Sequence, residues 1–426
     1  MKQLNFENIN PKLCNKCGTC VGVCPTNALN ATINCIEYSK DKCISCSKCY
    51  VNCPGINFNY NEMNSFLFKE DFKNKLTIKE ELKEEINKIG FFKSTHIAQA
   101  KDNFLKNNSS SGGAVTSILN EAFERKLIDG AIVVGMSTEK PWLYQAKIVK
   151  NIGELINTRG SKYTIVSLNN ILKESKNFKG KLAFVGLPCH VHGIRKLQKN
   201  NPETVKNIVV VLGIFCGFNV SFDATKFLIK KQGIKLNEIS KLEYRGGKWP
   251  GGLLIKTKDN KTHFLPKYYY DITDTMFVPK RCLICVDYMN DFADVSFGDI
   301  WLNELNREPW SAMIIRTKKG KDFIAKTQSC LNIKPLSVKN LIKSHEHNIK
   351  HKKIGSLLRM NSKEEKMIFG IDALTNSTND NYKVIIESLI FYLFGSKLFH
   401  LFANIIPLTI FGYAAKIRRK LAKKTI

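Results

Sequence analysis

The chain alternates between short apolar runs and longer stretches in which apolar residues return every three or four positions. "AIVVGMS" (131–137), "KLAFVGLP" (181–188), "NIVVVLGIF" (207–215), "GGLLIKTK" (251–258) and "AMIIRTK" (312–318) are rich in β-branched and aliphatic side chains, which predicts strands buried in a sheet. Between several of them the period lengthens to that of a helix with one apolar face. In "GGAVTSILNEAFERKL" that face carries Val115, Ile118, Leu119, Ala122 and Phe123, and "SFDATKFLIKKQG" repeats the pattern. Such alternation predicts an α/β body with a largely parallel or mixed sheet.

The flanks differ from this body. Upstream, "KEELKEEINKIG" is helical in period but charged in both signs, as in a solvated connector. Downstream, Val384 to Ala415 is densely apolar and is followed by "KIRRKLAKK". Its longest run without Lys, Arg, Asp or Glu, Leu398 to Ala415, contains His400, Asn404 and Pro407, which is marginal for crossing a bilayer. Two placements stay open for this helical tail: lying on an anionic membrane surface, or packing on the body or on a second subunit of a homo-oligomer. The expected organisation is 1–60, 61–95 as helical linker, 96–345 as body and 346–426 as tail.

Fourteen cysteines change the picture for 1–60. A chain of 426 residues can bury a full core and needs no disulfide staples. The N-terminus, "MKQLNFENINPKL", lacks the features of a signal peptide, so a reducing cytoplasm is expected, where clustered thiols hold metal. A structural zinc takes four ligands, commonly as two C-x2-C pairs. Here "CNKCGTCVGVCP" and "CISCSKCYVNCP" each supply four thiols and a proline. C-x2-C-x2-C-x3-C-P is the spacing of two-cluster ferredoxins, in which the fourth cysteine crosses to the other 4Fe-4S cube. One cluster would then take Cys14, Cys17, Cys20 and Cys53, the other Cys43, Cys46, Cys49 and Cys24, with Pro25 and Pro54 turning the chain away. The fold expected overall is an α+β ferredoxin-like two-cluster domain followed by the α/β body and the helical tail. Such cubes sit near about −400 mV, so the segment reads as a one-electron wire.

Three features of the body are candidates for chemistry. Cys189 and Cys216 each follow an apolar strand, at the edge where open α/β sheets bind ligands, and Cys282 with Cys285 forms a C-x2-C pair. Together they number four, enough for a third cluster, although buried cysteines also occur simply as small hydrophobes. Cys35 and Cys330 are left as structural. Second, "NNSSSGGAVTSIL" (107–119) leads serines and glycines into a helix, which suits a phosphate, although such a stretch alone is more often just a helix cap. Third come "TRGSKYT" (158–164), with Arg159 and Lys162 around a glycine, and "ADVSFGDIW" (293–301), where Gly298 and Asp299 end a strand; either is also compatible with a simple turn.

"SSSGGAVTSIL", "GSKY", "VGLPCHVHGIRKL", "FCG" and "CLICVDYMNDFADVSFGDIW", in that order, resemble the coenzyme F-420 hydrogenase/dehydrogenase beta-subunit family, over roughly residues 1 to 340. The resemblance implies FAD and a 4Fe-4S cluster in the body, with Cys189, Cys216, Cys282 and Cys285 as ligands. It implies Ser111, Gly112 and Gly113 at the FAD phosphates, Gly160, Ser161, Lys162 and Tyr163 beside the flavin, and Gly298 and Asp299 at the same site. Family members often have Gln after the body cysteine, whereas this chain has His190. That residue and His192 are candidate proton donors, and Lys162 a stabiliser of charge on a reduced flavin.

The function expected is an iron–sulfur flavoprotein oxidoreductase that passes electrons from a ferredoxin-like donor through clusters to FAD and an organic acceptor. The alternative is an electron-transfer subunit serving a partner enzyme. A net charge of +29 would ordinarily suggest nucleic acid, but the basic residues are mostly lysine, no recognition motif appears, and about eight negative charges on three cubes and a diphosphate offset part of it. No nucleic-acid partner is expected.

Overall fold

The computed structural model describes residues 4–73, 80–270, 273–305, 308–370 and 381–413. Among these residues, thirteen strands run in chain order: β1 (Leu29–Ala31), β2 (Ile36–Tyr38), β3 (Ser94–Ala100), β4 (Gly130–Met136), β5 (Tyr144–Val149), β6 (Leu182–Gly186), β7 (Ile208–Ile214), β8 (Ile239–Gly246), β9 (Gly252–Thr257), β10 (Thr262–Pro266), β11 (Val295–Asp299), β12 (Ser311–Ile315) and β13 (Leu331–Pro335).

The body is built on an eight-stranded mixed sheet of order β13-β3-β12-β11-β7-β6-β4-β5. Its centre, β11-β7-β6-β4, is parallel, and the flanking pairs are antiparallel. The continuous apolar runs of β4, β6 and β7 follow from this placement, because helices cover both faces. On one face, helices Ala114–Glu124 and Lys318–Thr327 bury Ile118, Leu119, Phe323 and Ile324. On the other, helix Pro188–Asn200 buries Val191, Ile194 and Leu197. The apolar run at 251–258 corrects the sequence reading: β9 lies outside the large sheet, between β8 and β10 in a separate antiparallel sheet of three strands. Burial of Leu253 and Ile255 against Phe227 and Leu228 explains why the run is as apolar as the others.

The N-terminal module consists of the hairpin β1–β2 and two short helices, Thr19–Val23 and Lys48–Val51. Each helix is entered through left-handed residues at matching places: Lys16 and Gly18 in the first loop, Ser45 and Ser47 in the second. That curl brings the Lys16 N–H to 3.4 Å from Cys14 Sγ and the Ser45 N–H to 3.4 Å from Cys43 Sγ. The two cysteine runs are therefore related in conformation as well as in spacing.

A tight seam joins module to body. Asn169 donates from Nδ2 to Thr19 Oγ1 (2.9 Å) and to the His190 carbonyl (2.9 Å), while its N–H reaches the Cys17 carbonyl. Ser167 Oγ donates to the Lys16 carbonyl, and Asn52 Nδ2 to Asn201 Oδ1, both at 2.7 Å. Gly193 occupies the closest point, where a Cβ would stand 2.1 Å from Thr19 Oγ1 and 2.6 Å from Asn169 Nδ2. Gly193→Ala is expected to lower stability by about 1–3 kcal/mol through overpacking. An unfolding midpoint equal to wild type in chemical denaturation would show that the seam yields without cost.

The remaining flanks also contribute. The charged stretch buries Ile86 and Ile89, and β3 starts at Ser94. Residues 350–359, which the sequence reading gives to the tail, pack on the Cys282–Cys285 loop: Ser356 Oγ donates to the Leu283 and Cys285 carbonyls, and Arg359 Nε to the Leu283 carbonyl. Helices Asn381–Phe394 and Lys397–Ala403 follow. Among the described residues no helix is long and apolar enough to cross a membrane. The basic stretch 416–424 lies outside the described residues.

Candidate functional site

Two cavities open in the N-terminal module. One is lined by Cys14, Cys17, Cys20 and Cys53, the other by Cys24, Cys43, Cys46 and Cys49. Each draws three thiols from one run and the fourth from the other. Burial, then the neighbouring Cys53, pushes the Cys17 thiol up to about 12; burial raises Cys49 to about 11, with Cys46, Cys24 and Cys43 adding to it. Four such thiols become anions together only when positive charge sits among them. Among the described residues, no three His, Cys, Asp or Glu side chains already close on a point as a single-ion site would.

The body quartet gathers at the carboxyl ends of β6 and β7. Asn290 Nδ2 spans the two strands, donating to the Gly186 carbonyl (2.9 Å) and the Ile214 carbonyl (3.2 Å). The Cys216 N–H donates to the Tyr288 carbonyl at 2.8 Å, which draws in the loop carrying Cys282 and Cys285. Burial, with the charges of Cys17, Cys216, Cys282 and Cys285 behind it, raises the Cys189 thiol well above its ordinary value. The quartet thus adjoins the first N-terminal cavity through Cys17.

Two buried cations stand beside these thiols, and sequence reasoning missed both. Lys352 donates to the Cys282 carbonyl at 3.2 Å, and its charge opposes the burial that raises Cys216 and Cys282. Arg281 is 1% exposed, stacks on Phe369 and donates to the Pro54 carbonyl at 3.2 Å, so it lies between the Cys53 loop and the Cys282 loop. Its Nε and Nη1 have no hydrogen-bond partner among the described residues. Buried guanidinium donors in that state suit an anionic group in the adjoining cavities. Its position next to Cys282 was a signal available in the sequence; Lys352, 67 residues or more from each of those cysteines, gave none.

The other predicted segments meet elsewhere, on one arginine. Arg245, at the end of β8, donates from Nη2 to the Ser110 carbonyl (2.6 Å), from Nε to the Pro250 carbonyl (2.7 Å) and from Nη1 to Asp299 Oδ2 (2.7 Å), with Tyr163 Oη at 3.5 Å. The Ser161 N–H reaches Ser110 Oγ at 2.7 Å, and Ser111 Oγ donates to the Trp310 carbonyl. Loops 109–113, 158–164 and 298–299 therefore meet in one place, and Trp249 and Trp301, which flank Pro250 and Asp299 in sequence, stack on each other. Glycines there serve different ends. A Cβ at Gly112 would strike the Ala98 and Pro309 carbonyls, and at Gly298 the Phe215 ring, whereas at Gly160 only Ser110 Oγ lies within 4 Å, so that loop faces open space. Gly113 (φ 72°) caps the Ala114–Glu124 helix without a side-chain acceptor, and the buried Ser109 Oγ has no partner among the described residues. Uncapped first-turn N–H groups, a free hydroxyl and a buried cation fit an anionic, phosphate-bearing group.

Lys162 is committed to its own turn: Nζ donates to the carbonyls of Thr158, Arg159 and Gly160, and burial, then Arg159, brings its pKa down to about 7. His190 is buried with Nδ1 accepting from the Leu187 N–H and Nε2 against the Val166 carbonyl, and burial lowers it to about 4. His192 Nε2 meets Asp287 Oδ2 at 2.8 Å and stacks on Phe58. Between the thiol quartet and the Arg245 site lie Phe215, Tyr288 and His345, the last two joined at 2.9 Å. Cys35 is exposed and close enough to Cys14 for its charge to help raise that thiol, and Cys330 is partly buried, its Sγ donating to the Thr327 carbonyl.

Comparison with known proteins identifies the family. The family model for the C-terminal part of the coenzyme F420 hydrogenase/dehydrogenase beta subunit matches residues 179–339, and that for its N-terminal part matches 95–173. A 4Fe-4S binding domain matches 7–30. The chain is 31% identical to the beta subunit of coenzyme F420 hydrogenase from Methanococcus voltae, over 56% of this chain and 82% of that protein. It is 28% identical to coenzyme F420-dependent sulfite reductase from Methanocaldococcus jannaschii over 74% of this chain, and it spans 46% of that reductase's length. With one of the subunits of F(420)H(2) dehydrogenase from Methanosarcina mazei the identity is 26%, covering 74% and 83% of the two chains. In fold it is similar to a chain of the F420-reducing NiFe hydrogenase complex from Methanosarcina barkeri, with a TM-score of 0.51 at 24% identity over 62% of this chain and 91% of that one.

Proposed function

The chain belongs to the coenzyme F420 hydrogenase/dehydrogenase beta-subunit family, and from that premise we propose that it is an iron–sulfur flavoprotein carrying electrons from a ferredoxin-like donor to an organic acceptor. The observation that carries the reading is the placement of twelve thiols in three sets, with a separate anion-suited site on Arg245 beyond the third. In this reading Cys24, Cys43, Cys46 and Cys49 hold the outermost cluster, since Cys46 is exposed and Ile44 and Val51 flank it on the surface. Cys14, Cys17, Cys20 and Cys53 hold the next, and Cys189, Cys216, Cys282 and Cys285 the third. FAD, held by Ser111, Gly112, Gly113, the 160–163 loop, Arg245 and Asp299, would supply the exchange between single electrons and hydride. Lys162 shapes the loop beside it. His190 takes no proton-transfer role, because both its ring nitrogens are engaged by backbone.

Anaerobic purification with iron, sulfide and flavin analysis tests this. About twelve irons and one FAD per chain are expected. About eight irons and no flavin would overturn the body assignment while leaving the N-terminal clusters. A second reading, an electron-transfer subunit serving a partner enzyme, is favoured by relatives that are themselves subunits. Oxidation of reduced ferredoxin by the purified chain with a small acceptor alone would exclude it.

A further inference from the structure

Among the described side chains, the C-terminal helices are fastened to the body by one side. Phe391, Ala403 and Phe411 are buried, His400 Nε2 meets the Met276 carbonyl at 3.1 Å, and Lys231 Nζ donates to the Asn404 and Ile406 carbonyls at 2.8 and 2.6 Å. The opposite side is open. Of the sixteen large apolar side chains exposed among the described residues, ten lie between Leu389 and Tyr413, so the exposure is concentrated in this segment of the chain. Tyr392 is 79% exposed, Leu401 67% and Ile405 81%.

Charge identifies the occupant. From Ser388 to Ile426 the sequence holds seven Lys and Arg and no Asp or Glu. Six of the seven follow the described face in sequence, at 416–424, and a second copy of a chain with net charge +29 would bring like charge against like. A lipid surface with anionic headgroups satisfies both properties, since apolar side chains enter the acyl boundary while lysines and arginines stay at the headgroups. We propose that this open face, centred on Tyr392, Leu401, Phe402 and Ile405, is a docking surface for anionic phospholipid bilayers, on which the protein lies without crossing.

The test uses the full-length protein with its iron bound, sedimented with vesicles of equal parts phosphatidylglycerol and phosphatidylcholine, or of phosphatidylcholine alone. Binding at least about tenfold stronger to the anionic vesicles, lost in high salt, is expected. Y392S/L401S/I405N, all on the open side, should abolish sedimentation while leaving iron content and the unfolding midpoint as in wild type. Replacing Lys416, Arg418, Arg419 and Lys420 by Gln should remove the lipid preference with the apolar face intact. Failure to bind anionic vesicles, binding unchanged in the triple variant, or a dimer that the triple variant converts to monomer would each overturn the proposal, the last assigning the face to a second copy.

Discussion

If the proposed function holds, Arg245→Met is expected to keep iron and fail to bind flavin, and to lower stability by about 3–5 kcal/mol, the usual cost of removing one partner of a buried, hydrogen-bonded ion pair. The guanidinium is 1% exposed and Asp299 28%, so solvent screens the pair only weakly. Without it the carbonyls of Ser110 and Pro250 lose a donor and Asp299 loses its counter-charge, and the three loops that meet there have no common anchor. Arg245→Lys restores the charge but cannot reach three acceptors in one plane, so it should recover part of the stability and little of the flavin. Flavin absorbance per chain and denaturant midpoints read the two effects. Full flavin occupancy in Arg245→Met would remove loops 109–113 and 160–163 from the site.

Cys282→Ser should remove about four of about twelve irons together with the magnetic signature of one centre, leaving two. Its companion, Lys352→Met, should keep all the iron and make that same centre harder to reduce, because a buried positive charge next to Cys216 and Cys282 is gone. At an effective dielectric near 20 a charge at this range is worth about 1–2 kcal/mol, or about 50–100 mV for one electron. EPR-monitored titration should show the shift in one centre alone. Unchanged potentials would place Lys352 in a packing role, and unchanged iron in Cys282→Ser would show that this thiol is not a ligand.

What the sequence made legible was local. Cysteine spacing with a proline behind each run pairs the N-terminal thiols as the cavities do, since a C-x2-C-x2-C loop leaves the chain few ways to curl. Apolar runs located β4, β6, β7 and β12 within a few residues. The same signal could not say that β9 belongs to another sheet, because burial on both faces looks alike in either place. Arg245 was invisible for a different reason: its partners lie at 110, 163, 250 and 299, and only the folded chain brings them to one side chain. Likewise His190, in a position that suggested acid–base chemistry, has its protonation form fixed by the Leu187 N–H and the Val166 carbonyl. The charged connector reads as solvated in sequence, yet it buries Ile86 and Ile89, and residues 350–359, assigned to the tail, pack on the Cys282–Cys285 loop.

The seam at Gly193 bears on kinetics. A separate electron carrier must find its acceptor by diffusion, and that encounter slows as salt screens the charges that guide it. Here Asn169 grips Thr19 on one side and the backbone of His190 on the other, so the carrier is already seated and its spacing from the body is set once, at folding. Ionic strength should therefore govern only how fast the outside donor arrives, while the inward hop proceeds at one rate from low salt to high.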